Sequence, residues 1–180
     1  MSTYRQDIIN AALRNGVPPE VALSVAQQES GIRQYDGAGN VIRGSAGEIG
    51  MFQVKPEAGA DVGAGNLFNP QQNIEAGVAY LRKMFDWTGT GSWSDALAAY
   101  NGGIGKWQRG TTPPEAWGYS SQVLSRAPSV AVPDYVTSPQ YQPSFSVGDP
   151  VFYAGVSEQA SPTALFLILG LLGVLAVSQA

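Results

Sequence analysis

Apolar side chains recur every three or four positions along the first 126 residues, a spacing typical of amphipathic α-helices. The third of the predicted helices is the clearest, because Asn69 can cap its start and Pro70 suits its first turn. No alternating run predicts a β-strand in this part of the chain, so the predicted fold class is mainly α. The predicted helices fall within MSTYRQDIINAALRNG, PPEVALSVAQQES, NPQQNIEAGVAYLRKMF, SWSDALAAYN and TPPEAWGYSSQVLSR.

A long Gly-rich stretch from Gly31 to Asn69 separates the second and third predicted helices. It has room for one short helix after Pro56. Long loops inside compact domains are usually functional, so we expect this stretch to contribute to a site.

The composition changes after residue 127. Residues 127–162 hold six of the chain's 12 prolines, which is typical of a linker. An uninterrupted apolar run, ALFLILGLLGVLAV, follows at residues 164–177. As a helix it would measure about 21 Å at ~1.5 Å per residue, short of the ~30 Å hydrocarbon core of a bilayer, but its uncharged flanks can extend it. The run therefore predicts a membrane anchor, with docking on a protein partner as the alternative.

Glu29 ends the second predicted helix on the face that carries its apolar residues. Val25 and Ala26 lie one turn earlier on that face, and the Ser-Gly pair after Glu29 reads as the helix stop. Burial and the negative end of the helix dipole should both raise the pKa of Glu29, a property that a general acid needs. On these residues alone, the alternative is a structural carboxylate paired with a nearby arginine such as Arg33, and the residues do not favour the general acid over it.

The composition narrows the available chemistry. The chain has no Cys and no His, which excludes disulfides, thiol nucleophiles, imidazole bases and the usual zinc sites. We therefore expect no cofactor and no metal. Residues 1–127 carry 11 acidic against ten basic side chains, so no basic footprint for nucleic acid is present.

Five short stretches in series resemble the soluble lytic transglycosylases, the goose-lysozyme-like enzymes that cleave peptidoglycan. They are ES at residues 29 and 30, GEIGMFQVKP from Gly47, FNPQQNIEAGVAYL from Phe68, ALAAYNGG from Ala96, and Tyr119 followed by Val123. The resemblance covers roughly residues 5–126. It implies a lysozyme-like helical catalytic domain at 1–127 with a Gly-rich loop region. The composition adds a Pro-rich linker at 128–162 and the hydrophobic tail at 163–180.

The resemblance also implies roles for single residues. Glu29 would be the catalytic acid. Tyr100 would contact that acid, and Tyr119 would either orient it or line the groove. The residues expected to bind substrate are Ser30, Gly50, Met51, Gln53, Tyr100, Asn101 and Tyr119.

The mechanism implied by the family uses one carboxylate rather than the usual pair. Glu29 protonates the glycosidic oxygen between N-acetylmuramic acid and N-acetylglucosamine, and the C6 hydroxyl then attacks C1 to close a 1,6-anhydro ring. Glu48 departs from the family pattern, which often has a small residue there, and is a candidate second carboxylate. If Glu48 positions a water, the enzyme would be a hydrolytic muramidase instead.

The sequence also suggests where the protein acts. Its N-terminus shows no signal peptide, although peptidoglycan lies outside the cytoplasmic membrane. We therefore expect a phage-encoded, virion-associated enzyme that opens the wall locally during genome entry, with residues 128–180 contacting membrane or virion proteins. Alternatives are a conjugation-type secretion enzyme, a catalytically silent structural or glycan-binding virion protein, and a membrane-disrupting role for the tail.

Overall fold

The computed structural model describes residues 3–130, and the predicted mainly α fold is confirmed there. Most of the predicted linker (131–162) and the whole predicted tail (163–180) lie outside the described residues. Within 3–130 the helices are α1 (Tyr4–Arg14), α2 (Pro19–Ser30), α3 (Pro56–Ala60), α4 (Pro70–Thr88), α5 (Trp93–Gly102), α6 (Ile104–Gln108) and α7 (Pro114–Arg126), followed by a short 3₁₀-helix (Ala127–Ser129). None of the helices in this range is both long and apolar enough to cross a membrane.

Side chains at the helix starts explain why several helices begin where they do. The side chain of Asn69 accepts a hydrogen bond from the backbone N–H of Gln72 at 3.1 Å, as the sequence predicts for α4. Ser92 caps α5 in the same way. Helix α2 ends at Gly31, whose φ of 67° closes the last turn in the left-handed conformation that glycine adopts easily.

Helix α2 lies at the centre of the core. Its residues Ala22, Leu23, Val25 and Ala26 are fully buried, and the helix packs against both α1 and α7. Burying a large aliphatic side chain contributes about 1.5–3 kcal/mol before entropic costs. These buried residues therefore fix the position of α2 and of Glu29 in its last turn.

Two glycines allow close packing around the helices. Helix α5 includes Gly102 and is capped by Gly103, with φ of 92°. A Cβ on Gly102 would lie 2.9 Å from the Cβ of Ala116, so this glycine lets α5 and α7 approach closely. Gly77 of α4 makes room for the side chain of a loop residue, Phe52.

The Gly-rich stretch between α2 and α4 contains the predicted short helix, α3, after Pro56. Three isolated antiparallel bridges organise the rest of the stretch, and no longer strand forms within residues 3–130. The bridges pair Tyr35 with Val41, Arg43 with Ile49, and Ile49 with Val54. The bridged segment places residues 47–54, called the glycine loop below, against the end of α2.

Candidate active site

Two fully buried amide side chains hold the glycine loop in place. Gln34 Oε1 accepts the N–H of Met51 at 2.9 Å, and Asn73 Oδ1 accepts the N–H of Phe52 at 2.9 Å. Asn73 Nδ2 also donates to the carbonyl of Ile49 at 2.8 Å. Because an unpaired buried amide costs about 1–3 kcal/mol, these bonds strongly favour one loop conformation. Neither Gln34 nor Asn73 was predicted. Asn73 is a polar residue within the apolar pattern of α4, which was its only sequence signal, and Gln34 lies in the loop after α2 with no such signal.

Three residues expected to bind substrate are instead buried parts of this support. Ser30 Oγ donates to the carbonyl of Met51 at 2.9 Å and so joins the catalytic-helix end to the loop. Met51 has no exposed surface. Gly50 is also buried, with φ of 73°, and a Cβ there would lie 2.5 Å from amide atoms of Gln34 and Asn73. None of Ser30, Gly50 and Met51 lines the cleft, so this geometry gives no support to their predicted substrate contacts, which stay a prediction.

Gln53 does reach the surface of the cleft. Its backbone has φ of 46°, a left-handed conformation that is uncommon for a residue other than glycine. Its Nε2 donates to the carbonyl of Gly50 at 2.7 Å, which leaves the amide oxygen and a second N–H free to face a ligand. Strained backbone of this kind is concentrated at functional sites, where the surrounding structure holds it.

Glu29 lies half-buried in the last turn of α2 and is held by one hydrogen bond. The hydroxyl of Tyr119, on α7, donates to Glu29 Oε1 at 2.6 Å. Burial raises the pKa of Glu29, the Tyr119 hydrogen bond lowers it, and the negative charge of Glu48 raises it, with a raised pKa as the result. Because Oε1 accepts the Tyr119 hydrogen bond, the proton of the neutral acid is placed on Oε2.

Tyr100, the residue expected to contact the acid, directs its hydroxyl hydrogen bond to the glycine loop rather than to Glu29. Its hydroxyl donates to the carbonyl of Phe52 at 2.8 Å and so ties α5 to the glycine loop. Burial raises the pKa values of Tyr100 and Tyr119 well above the ordinary phenol value. Both hydroxyls therefore keep their protons and act as donors. Of the two roles considered for Tyr119, orientation of Glu29 is the one that the geometry favours.

Glu48 lines the same cleft and is held as a carboxylate. Its Oε2 accepts the backbone N–H of Ala46 at 3.0 Å, and its Oε1 lies 3.4 Å from Lys55 Nζ. A hydrogen bond from its own backbone N–H and these two partners lower the pKa of Glu48. The two carboxyl groups thus differ, because Glu29 tends to be neutral and Glu48 tends to be charged.

The cleft that contains both acids has a volume of about 390 Å³, within the range of sites for small ligands. Of the predicted residues it brings together Glu29, Glu48, Gln53, Tyr100 and Asn101. Sequence reasoning missed its other lining residues, which are Val54, Lys55, Ala58, Tyr80, Gly102, Gly103 and Lys106. For Tyr80 a signal existed, because a polar aromatic beside an apolar helix face can indicate a binding surface. Within residues 3–130 no group of His, Cys, Asp or Glu side chains could hold a metal ion.

Comparison with known families agrees with this geometry. Residues 6–116 match the family described as the transglycosylase SLT domain, which is more than half of the chain. The chain belongs to this family. The family inferred from the five sequence motifs is therefore confirmed.

One curated relative comes from a phage. A protein named transglycosylase, from Enterobacteria phage PRD1, is 36% identical over 75 residues. The match covers 41% of this chain but only 28% of the phage protein, so less than a third of the phage protein is matched.

Two solved bacterial proteins share the fold. They are an inactive mutant of the lytic transglycosylase Slt from Pseudomonas aeruginosa, at 24% identity, and the 70 kDa soluble lytic transglycosylase from Escherichia coli, at 20% identity. Each superposes with a TM-score of 0.56, and the matches cover 68% and 69% of this chain but only 23% of either enzyme. The match with these larger proteins supports the lysozyme-like fold of the helical domain.

Proposed function

We propose that this protein is a peptidoglycan lytic transglycosylase that cleaves the β-1,4 bond between N-acetylmuramic acid and N-acetylglucosamine. The observation that carries the proposal is the state of Glu29, a half-buried acid with a raised pKa, held by Tyr119 and facing an open cleft. A neutral carboxylic acid near neutral pH is what protonation of a glycosidic oxygen requires.

The reaction begins with proton transfer from Glu29 Oε2 to the glycosidic oxygen, and the bond from that oxygen to C1 of muramic acid breaks. The 2-acetamido group of the same sugar stabilises the positive charge that develops at C1. Glu29, now a carboxylate, accepts the proton of the C6 hydroxyl while that oxygen bonds to C1. The products are a 1,6-anhydromuramic end and a free 4-hydroxyl on the next sugar, and no water is consumed.

Gln53 and Asn101 are the groups best placed to hold the substrate. Both line the cleft with Glu29, and their amides can donate and accept hydrogen bonds to hydroxyl and N-acetyl groups. Tyr100 contributes its ring to the cleft wall while its hydroxyl is engaged with the loop. Tyr119 acts behind Glu29 as a positioning residue.

Hydrolysis by a water on Glu48 is the competing reaction. The partners of Glu48 argue against it, because Ala46 and Lys55 occupy its oxygens and its lowered pKa makes it a weak base. The attack of a tethered C6 hydroxyl also has an effective molarity of up to ~10⁵ M or more, far above the ~55 M of water.

Digestion of purified sacculi followed by mass spectrometry tests the proposal. The native protein should release muropeptides with 1,6-anhydro ends, which are lighter by one water than hydrolytic products. Mainly reducing ends would overturn the transglycosylase assignment, and if Glu48→Ala then restored anhydro products, Glu48 would be the residue that recruits water. An absence of any wall cleavage would favour the silent structural role.

The proposed setting is a phage particle in which this protein opens the host wall during genome entry. The relative named transglycosylase comes from phage PRD1, and this origin supports a phage setting. Particle association would deliver the enzyme to the wall without export. Immunogold labelling or proteomics of purified particles would test this, and detection only in infected-cell cytosol would contradict it.

We propose that the chain is divided into a catalytic domain at 1–127, a linker at 128–162 and a membrane-anchoring tail at 163–180. A chain ending after residue 127 should then be folded, active and independent of detergent. The full chain should instead partition with liposomes. A full chain that stays monomeric without detergent would contradict the anchor.

A further inference from the structure

The charges that line the cleft do not cancel. Glu48 and Lys55 form an ion pair at 3.4 Å and neutralise each other. Glu29 is uncharged when it is ready to act as an acid. Lys106 is exposed on the cleft wall and has no salt-bridge partner among residues 3–130. The cleft of the active enzyme therefore carries one uncompensated positive charge.

The backbone fixes where this charge is presented. Gly103, with φ of 92°, turns the chain sharply between α5 and α6. The Lys106 N–H donates to the carbonyl of Gly103 at 3.1 Å, and its own carbonyl accepts the N–H of Thr111 at 2.9 Å. Lys106 is thus anchored at the same rim of the cleft as Asn101, while its four-carbon side chain can still move.

A cation in this place suits one part of the glycan only. The sugar backbone of peptidoglycan consists of uncharged hydroxyl, ether and acetamido groups. Its negative charge lies on the substituent of the muramic acid O3 atom, as a free lactyl carboxylate or as carboxylates of the attached peptide. A lysine is a flexible point charge that can reach carboxylates in different positions, whereas an arginine fork demands planar geometry.

We propose that Lys106 is a specificity-determining residue that binds a carboxylate of the O3 substituent of muramic acid and so distinguishes peptidoglycan from uncharged N-acetylglucosamine polymers. The proposal rests on the proposed function, since it assumes that this cleft holds a glycan strand. It adds the requirement for an anionic substituent near the rim formed by Asn101 and Lys106.

The test measures binding rather than turnover, in the full-length Glu29→Gln protein kept in detergent. Lys106→Gln removes the charge, Lys106→Arg restores a charge, and Arg109→Gln is the matched control. Arg109 is exposed three residues away, does not line the cleft and forms no salt bridge within residues 3–130. The probes are peptide-bearing glycan strands, amidase-treated strands with free lactyl carboxylates, and uncharged oligomers of N-acetylglucosamine.

Lys106→Gln should weaken binding of the anionic strands by roughly two- to fivefold, the effect expected for an exposed ion pair. It should leave binding of the uncharged oligomers unchanged, and the difference should shrink as salt is raised, because exposed charges are screened. A loss confined to peptide-bearing strands would identify the peptide carboxylates, and a loss confined to amidase-treated strands would identify the lactyl carboxylate. A loss for both strands would show that Lys106 reaches a carboxylate in either position. Lys106→Arg should recover most of the loss.

Three results would overturn the proposal. These are an equal loss for uncharged oligomers, no loss for either anionic strand, and an equal loss from Arg109→Gln. They are distinguishable from failure of the proposed function, because that failure appears as an absence of anhydro products from the otherwise native enzyme.

Discussion

The hydroxyl of Tyr119 is the group whose removal tests the proposed acid most directly. Tyr119→Phe keeps a ring that is 8% exposed and deletes only the donor that lies 2.6 Å from Glu29 Oε1. A hydrogen bond to a charged group contributes about 1.5–3 kcal/mol. The charge on Glu29 develops only as the proton leaves, so this energy acts mainly in the transition state. We therefore expect kcat to fall by about ten- to hundredfold.

The same variant should change the pH profile in a defined direction. Glu29 must be protonated to act, so its pKa sets the alkaline limb of kcat/KM. Burial raises the pKa of Glu29, and the Tyr119 hydrogen bond opposes this rise because it stabilises the carboxylate. Without that bond the pKa rises further, and the alkaline limb should move to higher pH while the maximum rate drops.

The assay is release of anhydromuropeptides from sacculi, followed over a range of pH. Tyr100→Phe is the matched control, because it also deletes a buried phenol hydroxyl but one that donates to Phe52 rather than to Glu29. Its alkaline limb should stay in place even where its stability falls. If Tyr119→Phe left the limb unmoved, shifted it to lower pH, or kept the native rate, the role given to this hydrogen bond would be refuted.

Three further predictions concern other groups around the cleft. Glu29→Gln should lower activity by at least ~10²-fold. The folded-state pKa of Glu29 is raised, so the native protein is most stable below the ordinary carboxyl pKa and loses stability as the pH rises and Glu29 ionises. The melting temperature of Glu29→Gln should therefore increase relative to that of the native protein toward neutral pH. Retained activity in Glu29→Gln would contradict the assignment of the acid. Glu48→Gln removes a negative charge that raises the pKa of Glu29, and the alkaline limb should move to lower pH, opposite to Tyr119→Phe; a shift in the same direction would exclude this coupling. Asn73→Ala unpairs the backbone of the glycine loop and should cost about 2 kcal/mol or more in urea unfolding, whereas Gln71→Ala, on the exposed face of α4, should cost under ~0.5 kcal/mol. Equal costs for the two would argue against the loop support.

Features that depend on local pattern were predictable from the sequence. The apolar period located the main helices, and Asn69 marked the start of α4 because capping acts within one turn. The position of Glu29 on the buried side of α2 followed from the same period. The short helix α6 was missed, since five residues that include one glycine show no helical period.

Features that depend on long-range contact were not predictable. Whether Gly50 and Met51 face the ligand or the interior depends on the buried amides of Gln34 and Asn73, and the orientation of Ser30 depends on its bond to Met51, 21 positions away. A glycine motif looks the same in both cases. The partners of the two tyrosines were likewise undecided, because each hydroxyl bonds across a gap of tens of residues.

The bond between Tyr119 and Glu29 joins residues 90 positions apart and has a consequence for synthesis of the chain. A growing polypeptide completes α2 early, yet the hydroxyl that orients its acid arrives only with α7, the last α-helix within residues 3–130. A partly made or prematurely terminated chain therefore has the carboxyl group without its orientation. Full activity of the proposed enzyme would thus require that α7 has packed against α2, so the rate of wall cleavage could serve as a readout of complete folding of the helical domain.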